Sequence, residues 1–385
     1  MSDFIFVKDK FNKYSIRALI SSFERHFHFD YKLLNIEEIE NYNVKGKLIF
    51  FSFNTFNKEK YYFLSKKIKD KGAITVCGGP HPTAKPSECI KYFDAVCIGE
   101  GEEIIKDVVE DFLDGALKKI YENFGLVNID DYPSFPKKEK MFGPIEITRG
   151  CFFRCKYCQT PNLFDRKVRH KDLSRIFEDV EYAYKNNKTD FRFITPDAAI
   201  YQYNKGVNLE AIKELFEGIK KITKYDGRIF FGSFPSEINP YHVSRELIEL
   251  MKSYCSNTRV VIGLQTASER LLSIINRPTD LAKVESVIND FLQFGFGVDV
   301  DFIFGLPFEE EKDVIESIKW IEKWNDRVRI HAHYFMPLPG TEFENEMPSQ
   351  LSERSLLKLK SLEGEGKIFG QWVRQMDYSK KLVEI

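Results

Sequence analysis

Apolar residues fall along this chain in short runs separated by amphipathic stretches of helical period. "FIFV" (4–7) precedes a helix-like stretch from Tyr14 to His26. "YKLLNI" (31–36) and "KLIFFSF" (47–53) follow, the second with the unbroken hydrophobicity of a strand buried on both faces. A helical segment over 58–71 stops at Gly72. "AITVC" (73–77) then runs into "GGPHPT", and "DAVCI" (94–98) into "GEGEE" ahead of another helix. Strands alternating with helices predict a parallel α/β sheet, here a doubly wound, Rossmann-like domain over 1–115.

Residues 116–143 read as a linker, with "DDYPSFPKKEK" polar and proline-containing. Alternation resumes at 144. Strands are expected at 145–148, 191–194, 228–232, 258–263, 297–303 and 329–335. Helices are expected near 172–187, 208–222, 242–252, 280–293 and 310–325. Six such units predict a partial (βα)6 TIM-type barrel over 144–341, followed by a helical carboxyl-terminal extension over 342–385. Both architectures place ligands at the carboxyl ends of their strands. In the first domain three strand ends carry small or polar residues: Ser52, Asn54 and Thr55; Gly78, Gly79, Pro80 and His81; and Gly99, Glu100 and Gly101. Together on one edge they suit a ligand with a large flat face.

Composition adds bounds. The 385 residues are 43% hydrophobic, and 57 Lys and Arg balance 58 Asp and Glu for a net charge of −1. That balance gives no electrostatic footprint for nucleic acid. No stretch approaches the roughly 20 apolar residues of a membrane span, and the opening "MSDFIFVKDK" lacks the pattern of a signal peptide. The expected location is cytoplasmic, where clustered cysteines are metal ligands more often than disulfides.

Three of the seven cysteines lie within eight residues. Cys151, Cys155 and Cys158 are spaced C-x3-C-x2-C in the loop after the first barrel strand. Thiolates select iron–sulfur clusters, zinc or copper(I). Three of them leave one iron of a [4Fe–4S] cluster without a protein ligand, as a site that binds substrate at the metal requires. A structural zinc site with His170 as fourth ligand is the competing reading.

C-x3-C-x-aromatic-C after a first strand resembles the radical S-adenosylmethionine (SAM) superfamily, with Tyr157 at the position beside the adenine. The likeness continues in "SFPSEINP" (233–240), "VIGLQTASERLL" (261–272), "DFIFGLPFEE" (301–310) and "HYFMPLPGT" (333–341). The resemblance implies SAM contacts at Ser236, Glu237, Gln265 and Thr266. The second strand ends in Phe193-Ile194-Thr195-Pro196-Asp197 instead of the family's Gly-Gly-Glu-like turn, so Thr195 and Asp197 stand in as the contacts there. It implies further that SAM chelates the open iron and is reductively cleaved to a 5′-deoxyadenosyl radical, with electrons from an external flavodoxin- or ferredoxin-like donor.

"GGPHPTAKPSECIKYFDAVCIGEGEEII" (78–105), with "FSFNT" (51–55) upstream, resembles the cobalamin-binding domain that precedes the barrel in cobalamin-dependent members. That implies cobalamin at the three strand ends, with His81 a conceivable cobalt ligand, although the D-x-H-x-x-G motif is absent. The implied activity is methyl transfer to an unactivated carbon of an unnamed substrate. The alternatives are another radical SAM outcome (ring closure, rearrangement or methylthiolation) or a non-catalytic corrinoid or iron–sulfur sensor.

Overall fold

The computed structural model describes residues 3–123 and 125–383. The chain divides into two compact units at Gly143/Pro144.

The first unit is built on six parallel strands: β1 (Phe4–Lys8), β2 (Tyr31–Asn35), β3 (Leu48–Ser52), β4 (Ile74–Gly78), β5 (Ala95–Gly99) and β6 (Ile120–Asn123), in the order β2-β1-β3-β4-β5-β6. Alternate side chains leave the sheet on opposite faces. Ile5, Val7, Ile49, Phe51 and Cys77 pack against Tyr61, Leu64 and Ile68 of the helix Lys58–Lys69. Phe4, Phe6, Leu48, Phe50 and Val76 pack against Ile16, Ile20 and Phe23 of Lys13–His26 and Val108 and Val109 of Gly101–Leu113. Two apolar faces per strand explain the unbroken hydrophobic runs. The region read as a linker is more than that: Ile120–Asn123 adds β6 to the edge beside β5. An edge strand of four residues with one buried side chain leaves almost no periodic signal.

The second unit begins with β7 (Ile145–Glu146), then a small antiparallel pair, β8 (Thr148–Arg149) with β9 (Arg169–His170). The barrel strands proper follow: β10 (Asp190–Ile194), β11 (Arg228–Phe230), β12 (Arg259–Gln265), β13 (Gly297–Phe304), β14 (Val328–Tyr334) and β15 (Ile368–Gly370). One parallel sheet runs β11-β10-β7 and another β12-β13-β14-β15. A parallel bridge between Ile238 and Ile262, with Val261 donating to the Gly232 carbonyl at 2.8 Å, links them into one arc. The expected alternating barrel is present with one strand more than the sequence reading gave it. β15 comes from the stretch expected to be wholly helical and pairs in parallel with β14. Beyond it the helix Trp372–Val383 buries Trp372, and its Ser379 hydroxyl donates to the Phe335 carbonyl at 2.7 Å.

In β13 and β14 the outer residues are buried: Val298, Val300, Phe302 and Phe304, and Val328, Ile330, Ala332 and Tyr334. The inner residues are half-buried and mostly polar: Asp299, Asp301 and Ile303 on one strand, Arg329, His331 and His333 on the next. No helix among the described residues is long and apolar enough to cross a membrane.

After β13 the chain turns through Gly305, whose N–H donates to Glu309 Oε2 at 2.6 Å, while Glu309 Oε1 is buried without a partner. Burial pushes this carboxyl from 4.5 up to about 8. The folded state therefore holds a proton that the unfolded state releases, so stability from this group is complete at low pH and lost as pH rises through 8. Glu309→Gln is expected to flatten that decline, on the order of 1 kcal/mol at pH 9. Thermal unfolding of both proteins at pH 6 and pH 9 reads it, and parallel pH profiles would refute the assignment.

Candidate functional site

The loop 150–160 carries the three cysteines across the carboxyl ends of the barrel strands. It is pinned from two sides. Lys156 N–H donates to the Ile275 carbonyl at 3.1 Å, and Asn276 Nδ2 to the Arg154 carbonyl at 2.9 Å. Gln159 Nε2 reaches the Pro339 carbonyl at 2.7 Å and Phe343 N–H the Lys156 carbonyl at 3.2 Å. Within it Cys158 N–H closes a turn on the Cys155 carbonyl at 3.1 Å. All seven cysteines are free thiols. Burial pushes Cys151 up to about 12 and raises Cys158 as well, so these groups stay protonated until a metal displaces the proton.

Two observations bear on what the thiols hold. Among the described residues, ligand atoms from three His, Cys, Asp or Glu side chains converge within 4.8 Å of one another only at Asp301, His331 and His333; the three thiols are set wider. His170 bonds Thr148 Oγ1 through Nδ1 at 3.0 Å across the β8–β9 pair, and burial lowers it to about 4. Only its Nε2 is left to serve the zinc reading.

The second observation is Arg277, buried beside Cys155. Its Nη1 lies 3.9 Å from Cys155 Sγ, and its Nη2 donates to the Gly263 carbonyl at 2.7 Å and approaches Glu237 Oε1 at 3.5 Å. Its Nε–H is buried with no partner. A permanent cation with an orphaned donor at the thiol loop fits an anionic group bound there. Glu237 itself is pushed up to about 8 by burial and by its neighbour Asp301, against the pull of Arg277.

The other expected SAM contacts divide into two sets. Gln265 sits at a β-bulge in β12 with φ of +84°, a left-handed conformation that re-aims its side chain. Tyr157 packs on the apolar cluster of Ile275, Leu306, Phe335 and Phe343. Ser236 is buried and its hydroxyl turns back to the Ser233 carbonyl at 3.3 Å. The remaining three serve the fold. Asp197 is buried, with Oδ1 accepting from Ala199 and Asn239 N–H at 3.0 and 3.2 Å and Oδ2 bonding His242 Nδ1 at 2.7 Å. Thr195 Oγ1 donates to the Asp197 carbonyl at 2.7 Å, and Thr266 Oγ1 accepts from Ser268 N–H at 3.2 Å, a turn at the start of Glu269–Ile274.

In the first unit β3, β4 and β5 are neighbours, so the three expected strand ends lie side by side on one edge. Gly78, Gly79, Pro80 and Gly99 are half-buried there. Asn54 Oδ1 accepts from Phe56 N–H at 3.0 Å, and Ser52 Oγ donates to Ser15 Oγ at 2.9 Å. Glu100 is buried, and Gly101 begins the next helix. The glycines answer first to the fold: Gly79 has φ of +101° and a Cβ there would stand 2.9 Å from Ser52 Oγ, while at Gly99, φ +92°, it would meet the Asn123 carbonyl at 2.7 Å. What remains exposed at that edge is rich in glycine and poor in side chains. His81 is excluded as a cobalt ligand in this conformation. It is 1% exposed, its Nδ1 bonds Thr55 Oγ1 at 3.0 Å, and its Nε2 bonds Tyr62 OH at 2.9 Å.

Comparison with known proteins bears on the barrel. Residues 145–321 match the profile of the Radical SAM superfamily. This segment is a radical SAM domain. The chain is 24% identical over 328 residues to the bacteriochlorophyllide d C-8(2)-methyltransferase of Chlorobaculum tepidum, covering 80% of this chain and 69% of the relative. In structure it is similar to the radical SAM methyltransferase TsrM of Kitasatospora setae, solved with cobalamin and a [4Fe–4S] cluster bound (TM-score 0.69, 14% identity, 89% of this chain and 74% of that one). It is also similar to the cobalamin-dependent SAM radical enzyme OxsB with aqua-cobalamin bound (TM-score 0.65, 15% identity, 98% of this chain and 56% of that one). At such identities these two likenesses establish the fold.

Sequence reasoning missed four polar groups of the second unit. Arg277 lies in "INRPT", where nothing marks a buried cation. Asp301, His331 and His333 did leave a signal: "VDVDFIF" and "VRIHAHY" alternate apolar with polar residues, which in an otherwise double-buried strand predicts a polar inner face.

Proposed function

We propose that the chain is a cobalamin-dependent radical SAM methyltransferase acting on an unactivated carbon. The observation that carries this reading is the extent of the structural likeness. It covers 89% of the chain for a protein solved with both cobalamin and a cluster, and so extends beyond the radical SAM domain into the first unit. The cluster would supply the electron that cleaves SAM, and cobalamin the methyl group. The chain's own contribution is to bind and to orient. Cys151, Cys155 and Cys158 hold iron, and Arg277 sets a positive charge against the thiolate side. Glu237, Ser236 and the re-aimed Gln265 offer hydrogen bonds to SAM, and the Tyr157 ring offers a face to adenine. The edge formed by Ser52, Asn54, Thr55, Gly78–His81 and Gly99–Gly101 receives the corrin. Electrons come from a flavodoxin- or ferredoxin-like donor, and seven free thiols suit the cytoplasm.

The test is the metal content of protein purified without oxygen and supplied with cobalamin. Four irons and one cobalt per chain, the cobalt surviving gel filtration, are the expected result. Iron without cobalt would sink the cobalamin part and return the reaction to another radical SAM type.

A further inference from the structure

The inner face of β13 and β14 holds a constellation outside the cysteine loop, adjoining the proposed SAM contacts where Asp301 neighbours Glu237. Asp301 and His331 stand directly opposite one another across the two strands, and His333 follows two residues on, projecting from the same face. Asp301 Oδ1 and His331 Nδ1 are 2.8 Å apart, and the His331 and His333 rings are 4.3 Å apart between centroids. One ligand atom from each of the three residues falls within 4.8 Å of the others.

We propose that Asp301, His331 and His333 form a mononuclear site for a divalent first-row transition ion, such as zinc or iron(II), whose open positions take an oxygen or nitrogen donor of the substrate. Ligand atoms at about 2.0–2.2 Å from one ion lie about 3–3.5 Å from each other, so small side-chain adjustments suffice to close the set. Two imidazoles and a carboxylate are borderline ligands that suit such ions, and three protein ligands leave coordination positions free. Neighbouring side chains restrain both imidazoles. Gln375 Oε1 accepts from Tyr334 N–H at 3.0 Å and its Nε2 lies 3.3 Å from His333 Nδ1, which restrains that ring. Phe369 of β15 stacks on the His331 ring at 4.9 Å. Both strands are rigid central members of their sheet, and the Asp301 and His331 side chains keep 16% and 29% exposure, so an ion can enter. An ion here would serve as an anchor and a Lewis acid for a substrate bearing a hydroxyl, carboxylate or amide near the reacting carbon.

This inference does not rest on the cobalamin reading, and its test separates it from the cluster. The full chain carrying Cys151→Ala, Cys155→Ala and Cys158→Ala is titrated with inorganic Co2+ without cobalamin. The expected result is one equivalent bound, with visible d–d bands and without the sulfur-to-cobalt charge-transfer absorption that binding at a remaining cysteine would give. Adding His331→Ala or His333→Ala is expected to weaken binding by more than about 100-fold, and Asp301→Asn by about 10-fold or more. His28→Ala, on an exposed histidine of the first unit, leaves it unchanged. Should the histidine variants misfold, 15N-histidine labelling with Cu2+ electron paramagnetic resonance on the otherwise native chain counts the imidazoles bound. Two coordinated imidazoles support the site. No saturable binding, or binding indifferent to His331 and His333, would show that Asp301 and His331 are a hydrogen-bonded pair with no metal.

Discussion

A chain in which Cys151, Cys155 and Cys158 are all alanine should emerge from anaerobic reconstitution with iron and sulfide at background. Its SAM cleavage should fall by at least about 1,000-fold, since the three thiolates act as one unit. Each single substitution should come close to the same loss. The fold should survive. Of the three, Cys155 is buried and the other two half-buried, and the loop keeps its anchors to Ile275, Asn276 and Pro339, all of them made by backbone groups of the loop or by the Gln159 side chain. The melting transition should therefore move by no more than about 1 kcal/mol of stability. Iron and sulfide analysis beside circular dichroism reads both. A triple variant that still binds four irons would falsify the ligand assignment outright.

The second large effect is expected at Gly263, a residue whose importance comes from what stands in front of it. A methyl group there would lie 2.4 Å from Arg277 Nη2 and 2.5 Å from Glu237 Oε2. Gly263→Ala therefore drives the buried guanidinium and the half-buried carboxylate apart. The clash and the loosened pair together should cost about 1–3 kcal/mol of stability. SAM affinity should drop by about 10- to 100-fold, because Glu237 is displaced from its position beside Arg277. Equilibrium dialysis with SAM and thermal unfolding measure the two consequences separately. Wild-type affinity in this variant would mean that the Arg277–Glu237 pair lies outside the SAM site.

The alternation that defines both units was readable because parallel strands covered on both faces need long apolar runs, and "KLIFFSF" has no competing interpretation. The cysteine spacing was readable for a different reason: ligands crowded into one loop announce themselves without any tertiary knowledge. What stayed hidden depends on pairing between distant segments. β6 and β15 are three or four residues long and exist only because a neighbouring strand offers an edge. Asp197 read as a SAM contact, yet its carboxylate gathers nearby Ala199 with Asn239 and His242, both over 40 residues away, into one buried knot. His81 invited a ligand reading from its place in "GGPHPT", but Thr55 and Tyr62, from two other elements, claim both of its nitrogens. In each case the sequence names the donor or acceptor, and only the fold names its partner.

β15 has a consequence for how the protein is made. The ribosome delivers β14 before β15, and roughly 30 residues, a few seconds at about 5–20 residues per second, separate the two. During that interval β14 presents a bare row of N–H and C=O groups, with His333 and Tyr334 still waiting for Gln375 and Phe335 for Ser379. An uncovered parallel edge is a template for pairing with other chains. Each newly made molecule therefore passes through a brief window of aggregation risk that closes when the late strand docks, and slowing translation between Tyr334 and Ile368 would widen it.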